Sequence, residues 1–482
     1  MANFLITTPN SLTQGTDTVD LFVLNTAFGT TVFAGGGADS LSAVGTNFSN
    51  ANLQGGAGND SIYLGAQGAK TLLVTQILAG AGNDTILLGD GVTNTTTLEG
   101  GGGGDVINIL SGTYGGASTY GNLGSDFISA YNVTFSAGLV AAGGDNDTIR
   151  FSSTIGSTTI NGGGGADSIV LNGAISAIRL EGDFVGDAQF YGNDTIGISA
   201  GLTKSSFVQG GGGADIITVS GLESNSTVLG NQGGDSIFIN DFAAAAGNFV
   251  GGGAGNDTIR VSADLAAAFG TIQGGGGIDL IDVDDNNVVG GDARIFGGAD
   301  ADTIELGTLA DSFTTARGIN SNASGMNVGY QSFDQSNLLA LDVISAASTT
   351  LSAGGVFTVT QSAVNFSAVA IGNYGAGGAQ VTVATGARVT TFAAGIADTL
   401  TAKATALDNS LGEGGAVVFR ANAVNYLFVQ GGAAGSGTGN DLVAQLNVGG
   451  FTVAADTLAR NGGIQEVNNS AIKIGITNNT TF

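Results

Sequence analysis

The sequence predicts an all-β protein: a parallel β-helix-type solenoid of about 14 coils followed by a β-rich C-terminal domain that is sandwich-like or an irregular solenoid. Three observations predict it. A glycine-rich octet recurs at a period near 21 residues, as "GGAGNDSI" at 55–62 and "GGAGNDTI" at 252–259. β-branched residues and leucines travel with it at fixed offsets. Glycine supplies 86 residues and proline only 1, yet 42% of the chain is hydrophobic. That share is too apolar for a linker or a solvating tail. The glycines therefore serve an ordered backbone, at turns that need positive φ or close backbone approach.

The repeat reads G-G-x-G-x-D-x-(Ile/Leu). Its aspartates are Asp39, Asp60, Asp84, Asp105, Asp126, Asp147, Asp167, Asp194, Asp215, Asp235, Asp257, Asp279 and Asp302, spaced 20 to 27 residues apart and most often 21. Asp17 in "GTDTV" is read as part of a degenerate first copy. Two residues after each aspartate stands Leu41, Ile62 or another isoleucine. Seven before it stands an apolar residue such as Val32, Leu53, Ile77 or Leu98, with exceptions at Asp126 and Asp194. A helix is excluded, because each interior glycine would cost about 1 kcal/mol against alanine. One period is then strand, glycine turn, strand and a less regular second turn, where most insertions fall. Coils stacked at roughly 4.8 Å would make a rod of about 65–70 Å. The apolar columns fill its interior, which no single coil could bury alone.

Charge narrows the function. Asp and Glu number 39 against 12 Lys and Arg, a formal charge of −27. Nucleic acid is not an expected partner, since phosphates are neutralised by Lys and Arg. Carboxylates stacked at strand spacing repel one another, and a cation between neighbours removes that repulsion. Calcium takes six to eight oxygen ligands, which glycine-turn carbonyls and a fixed carboxylate can supply. The bland alternative is a row of Asx turns on a solvated edge. There is no Cys and no His. Disulfides, thiolate sites, Ser-His-Asp and Cys-His arrangements and HExxH zinc sites are thereby excluded. No stretch has the apolar length of a transmembrane helix, and "MANFLITTPN" lacks the basic start and apolar run of a secretory signal.

The repeated copies resemble the hemolysin-type (RTX) calcium-binding repeat of bacterial secreted proteins, over about residues 15–305. The resemblance implies a parallel β-roll with calcium between successive turns, held by backbone carbonyls and the motif aspartates. The family repeats every nine residues with calcium turns on both edges. Here one such turn per coil implies a single calcium column of about 12 ions. Carried over residue by residue, the ligating turns are Gly55, Gly56, Gly58 and Asp60; Gly82 and Asp84; Gly100, Gly101, Gly103 and Asp105; Gly162, Gly163, Gly165 and Asp167; Gly210, Gly211, Gly213 and Asp215; Gly252, Gly253, Gly255 and Asp257; Gly274, Gly275, Gly277 and Asp279. Asp39, Asp126, Asp147, Asp194, Asp235 and Asp302 complete the column. Departures are Asp145 and Asp300 at the fourth glycine position and Asn122 at the second. "GDAQFYGND" is read as a three-residue insertion that empties or distorts the Asp194 site.

The domain reading follows. Residues 1–313 form the solenoid, with 1–30 as an N-terminal cap and a strand available for assembly. Residues 314–328 connect it to a β-rich assembly and secretion domain at 329–482, which holds strand patterns such as "VFTVTQSAV" and "AVVFRANAVNYLFVQ". Within it "NYLFVQGG…GNDLVAQL" (425–446) is similar to a segment near the C-terminus of many cyanobacterial and other RTX surface proteins. The resemblance implies type I secretion, an extracellular or cell-surface location and similarity to bacterial RTX-type surface-layer proteins. The expected function is a calcium-dependent structural protein that self-assembles as a homo-oligomeric lattice or filament, through the open strand edges of a solenoid. It is not expected to be an enzyme. The alternatives are a calcium-stabilised adhesin, with cell-surface polysaccharide as partner, or a viral structural protein.

Overall fold

The computed structural model describes residues 3–6, 12–13, 21–24, 31–44, 52–65, 76–89, 92–93, 97–183, 191–223, 225–241, 247–262, 270–283, 294–299, 303–306, 312–315, 326–330, 342–346, 356–361, 367–375, 380–384, 388–431, 435, 441–448, 463–468 and 471–475. The chain divides into two compact units, Met1–Asp235 and Ser236–Phe482. The fold is all-β, a parallel β-solenoid of about 10 turns with small antiparallel sheets toward the C-terminus. The expectation of about 14 coils took every motif copy as one coil of a single stack. Ten of the thirteen aspartates, Asp39 to Asp235, fall in the first unit.

In that unit each coil contributes one strand to each of two parallel ladders. The strand entering the glycine turn is Asn52–Ala57, Gln76–Ala81, Thr97–Gly102 or Ser118–Leu123 in successive coils. These pair in register, Leu53 with Ile77, Ile77 with Leu98 and Leu98 with Thr119. The strand leaving the turn forms the second ladder, with Ile62 opposite Ile86 and Ile86 opposite Ile107. Alternation decides the core: from Asp39 to Asp279 the residue two after each aspartate is buried, and so is the residue seven before it except at Asp194. A one-residue slip in any coil would turn both columns outward, so this pattern fixes the register.

The two exceptions are explained. Thr119 occupies the inward position before Asp126, between Leu98 and Val140, and is fully enclosed. Leu180 occupies it before Asp194, between Ile160 and Val208. Leu180 precedes Asp194 by fourteen residues instead of seven, so the insertion is seven residues long rather than three. It lies between Asp183 and Asp194.

In the second unit the same two ladders recur. Asn248–Ala254 pairs with Gly270–Gly276, and Thr258–Val261 with Leu280–Val283. The parallel ladder runs on through Met326–Tyr330 and Val356–Gln361, past the segment 314–328 that was read as a connection. A hairpin of Gly463–Asn468 and Ala471–Gly475 then adds to it antiparallel. A separate nine-stranded sheet contains the antiparallel run Gly415–Ala421, Val424–Val429 and Leu442–Val448. Against Gly415–Ala421 lies the helix Leu400–Asp408, an element not expected from the sequence. Thr399 caps it by accepting a hydrogen bond from the Ala402 N–H at 3.3 Å, and its alanines favour the helical state. Among the described residues no helix is long and apolar enough to cross a membrane.

Candidate functional site

The glycines of the octet have separate jobs. The second and fourth hold positive φ, as at Gly56 (112°), Gly58 (122°), Gly101 (120°) and Gly103 (118°). A Cβ at Gly56 would also collide with the carbonyl oxygen of Gly35 in the adjoining coil. Where the motif departs from glycine, the substitutes are the residues that best tolerate the left-handed region: Asn122 (82°), Asn231 (84°) and Asp145 (75°). The first glycine has a different reason. A Cβ on Gly55 would strike both the Asp60 Oδ2 and the Ala79 carbonyl oxygen of the next coil. The same pair of oxygens converges at Gly121 (Asp126 and Ala142), Gly162 (Asp167 and Gly182) and Gly274 (Asp279 and Gly297). Alanine replaces this glycine at Ala34, Ala79 and Ala142, so the position is tight but not closed.

The aspartates form a continuous ladder. The backbone N–H of Asp39 donates to Asp60 Oδ1 at 2.8 Å, that of Asp60 to Asp84 at 2.7 Å and that of Asp84 to Asp105 at 2.7 Å. The series continues through Asp126, Asp147, Asp167, Asp194 and Asp215 to Asp235. In the second unit the Asp257 N–H donates to Asp279 Oδ1 at 2.9 Å. All these aspartates are at most 3% exposed, although motif position alone suggested a solvated edge. Asp194 belongs to the ladder like the rest, so its site is not displaced by the insertion. Asp302 lies outside the described residues.

The second carboxylate oxygen is the informative atom. In Asp60, Asp84, Asp105, Asp126, Asp147, Asp167, Asp194 and Asp215, Oδ2 is buried with no hydrogen-bond partner. Burial pushes these carboxyls up, to about 6 at Asp60, Asp84 and Asp105, about 7 at Asp126 and about 8 from Asp147 to Asp215. The ladder hydrogen bonds oppose the rise, and neighbouring carboxylates add to it in most of these coils. The cause is the one expected for a charge withdrawn from water without a counter-charge.

Two features were missed by sequence reasoning. The asparagine of "GND" makes its own ladder in the opposite direction. Asn59 Oδ1 accepts from the Asn83 N–H at 2.9 Å, and Asn83 Oδ1 accepts from the Gly104 N–H at 2.9 Å. Asn146, Asn193 and Asn256 do the same. Their recurrence before aspartate was the available signal. The other feature is Asp183, which stands in register with Gly163 where the insertion begins. Its Oδ2 accepts from the Gly192 N–H at 3.2 Å and the Gly212 N–H at 2.9 Å, tying the chain across the insertion. Its Oδ1 is buried and unpartnered, and its charge raises the carboxyls of Asp167, Asp194 and Asp215.

From Asp60 to Asp215 the column thus presents one unpartnered carboxylate oxygen per coil, and at Asp60, Asp126, Asp167 and Asp194 a backbone carbonyl oxygen of the next coil lies beside it. The donor set is entirely hard oxygen, which suits calcium rather than zinc or copper. Among the described residues no group of three or more acidic side chains converges. A cation in a gap would therefore be held by one carboxylate per coil and by backbone carbonyls. Among the described residues the opposite edge of the coil carries no such column. Its turns use left-handed residues, one at Ala137, Ser157, Ala177 and Asn225 and two at Lys204 and Ser205, followed by a varied small or apolar residue. The parallel solenoid is the architecture of RTX-type repeat proteins. No family model, curated protein or solved structure matches the chain.

Proposed function

We propose that the protein is an RTX-type, calcium-stabilised structural protein that is secreted, through a type I route, and assembles with copies of itself into a surface layer or filament. The observation that carries the calcium reading is the choice of aspartate over asparagine. Accepting one backbone N–H needs only an amide oxygen, and the chain uses asparagine for that job one residue earlier. Asparagine in the aspartate column would also bring an N–H toward the carbonyl of the next coil. Thirteen copies keep the carboxylate instead, and from Asp60 to Asp215 this leaves a buried oxygen with no donor. A divalent cation in each gap would satisfy that oxygen and offset much of the formal −27.

The structural reading is supported by the solenoid itself, a stack whose interior is side-chain packing. The motif carboxyls with raised pKa stand one per coil as a ladder and not as a facing acid–base pair, and the chain lacks His and Cys. We therefore read it as non-enzymatic. Calcium in the extracellular medium would complete folding after export and leave the solenoid's strand edges available for contact with further copies.

Electron microscopy during calcium addition tests assembly. The reading expects ordered sheets or fibres above a threshold calcium concentration and their loss on chelation. Dispersed single particles at every calcium concentration would refute it.

A further inference from the structure

We propose that Asp408, Gln430 and Asp441 form a separate calcium site in the C-terminal domain, outside the repeat. The three residues are far apart in sequence and lie on three elements. Asp408 ends the helix Leu400–Asp408, Gln430 follows the strand Val424–Val429, and Asp441 precedes the strand Leu442–Val448. All three are buried: Asp408 is 3% exposed, and Gln430 and Asp441 are fully enclosed.

Their hydrogen bonds are incomplete in a particular way. Gln430 Nε2 donates to Asp408 Oδ1 at 2.8 Å, which leaves Gln430 Oε1 buried without a donor. Asp441 Oδ1 accepts from the Gly431 N–H at 2.9 Å, which leaves Asp441 Oδ2 buried without a donor. The charge on Asp408 is close enough to hold the Asp441 carboxyl up, in addition to the effect of burial. Two acids and an amide oxygen therefore share one enclosed region. A shared proton could serve one of these oxygens and would leave the amide oxygen unsatisfied. A divalent cation bound among them would supply a partner to both orphaned oxygens.

The helix supplies an independent argument. Its C-terminal end carries partial negative charge, and its last turn holds an acid and no base. The helix's own lysine, Lys403, is engaged elsewhere, with Asp398 Oδ1 at 2.6 Å and the Arg420 carbonyl at 2.7 Å. The backbone around the site is already tied to it, because the Gly435 N–H donates to the Asp408 carbonyl at 2.8 Å. Gly431, whose N–H already bonds Asp441, would then be fixed together with Gln430 and Asp441 by the cation.

Hydrogen–deuterium exchange of the full-length chain, in calcium, in magnesium and in chelator, tests the proposal. Calcium at a hundred times its dissociation constant slows exchange of peptides covering 431–441 by about a hundredfold if only the closed state binds it. Asp441→Asn abolishes that response while peptides around Asp105 keep theirs. Asp408→Asn provides the same comparison if Asp441→Asn does not fold. Equal exchange of 431–441 in calcium and in chelator overturns the proposal, as does a calcium response retained in both variants. Protection by magnesium alone overturns the calcium assignment. The solenoid reading fails separately, through peptides around Asp105 that ignore calcium while 431–441 responds.

Discussion

The two edges of the coil face the same backbone problem and solve it differently. On both, the chain turns through left-handed residues, and an N–H at the corner needs an acceptor from the next coil. On the second edge the answer is neutral and variable. The Ser206 N–H donates to Ser226 Oγ at 3.3 Å, the Ile178 N–H to Ser206 Oγ at 3.4 Å, and Ala117, Gly138 and Thr158 occupy the equivalent place elsewhere. On the first edge the answer is always aspartate. Backbone satisfaction alone therefore does not explain the carboxylate. The difference teaches that the first edge carries a charge for a reason beyond folding geometry, and that the second edge is free to drift.

The largest expected difference between the edges appears when divalent cations are removed. A cation that binds only the folded chain stabilises it by about 2.7 kcal/mol per site at a hundred times its dissociation constant. A ladder of such sites makes the solenoid's melting temperature strongly dependent on calcium. Calorimetry in calcium and in chelator measures it, and coincident transitions would leave the edges energetically alike. The sign of the pH effect in chelator follows from the raised carboxyls. Their folded-state values lie above the ordinary aspartate value of about 3.9, so the stability they permit is full below about pH 4. It is lost as pH rises through the range of about 6 to 8 found from Asp60 to Asp215. Melting temperatures of cation-free protein should therefore fall from pH 5 to pH 8, and calcium should remove most of that slope.

A smaller effect sharpens the role of glycine on the first edge. Gly101→Ala places a side chain at positive φ against the Gly80 carbonyl and should cost about 1–3 kcal/mol in chemical denaturation. Gly101→Asn should cost less, since Asn122 and Asn231 already occupy equivalent positions. Equal losses would show that sterics and not backbone conformation set the penalty. The smallest effect belongs to the second edge. Ser226→Ala removes one neutral hydrogen bond and should cost about 0.5–1.5 kcal/mol, with no dependence on calcium.

Much of this was legible in the sequence because solenoid coils repeat. The aspartate period located the ladder, and the isoleucine column located the core. The glycines were read as residues for positive φ or close backbone approach, and the structure divides these demands, with positive φ at the second and fourth and close approach at the first. Asp183 was hidden because its place in the ladder depends on an insertion whose length the spacing misjudged. The Asp408, Gln430 and Asp441 group was hidden for a different reason. No period links residues on a helix and two strands, and only tertiary packing brings them together. The Asn ladder was visible as a recurring "GND", but its partner is the next coil's backbone, which carries no sequence signature.

The central claim is that the aspartate column is charged because it holds a divalent cation, and one substitution tests it most directly. Asp105→Asn keeps the Oδ1 acceptor for the Asp84 N–H and replaces the charged Oδ2 with a neutral NH2 group. Stability of this variant and of the native chain should be compared at pH 8 in calcium and in chelator. The account predicts a reversal of sign, each change being about 1–3 kcal/mol: the variant is less stable than native protein in calcium and more stable in chelator, where an unpaired buried charge has been relieved. A variant that is equally or more stable in both conditions would contradict the account.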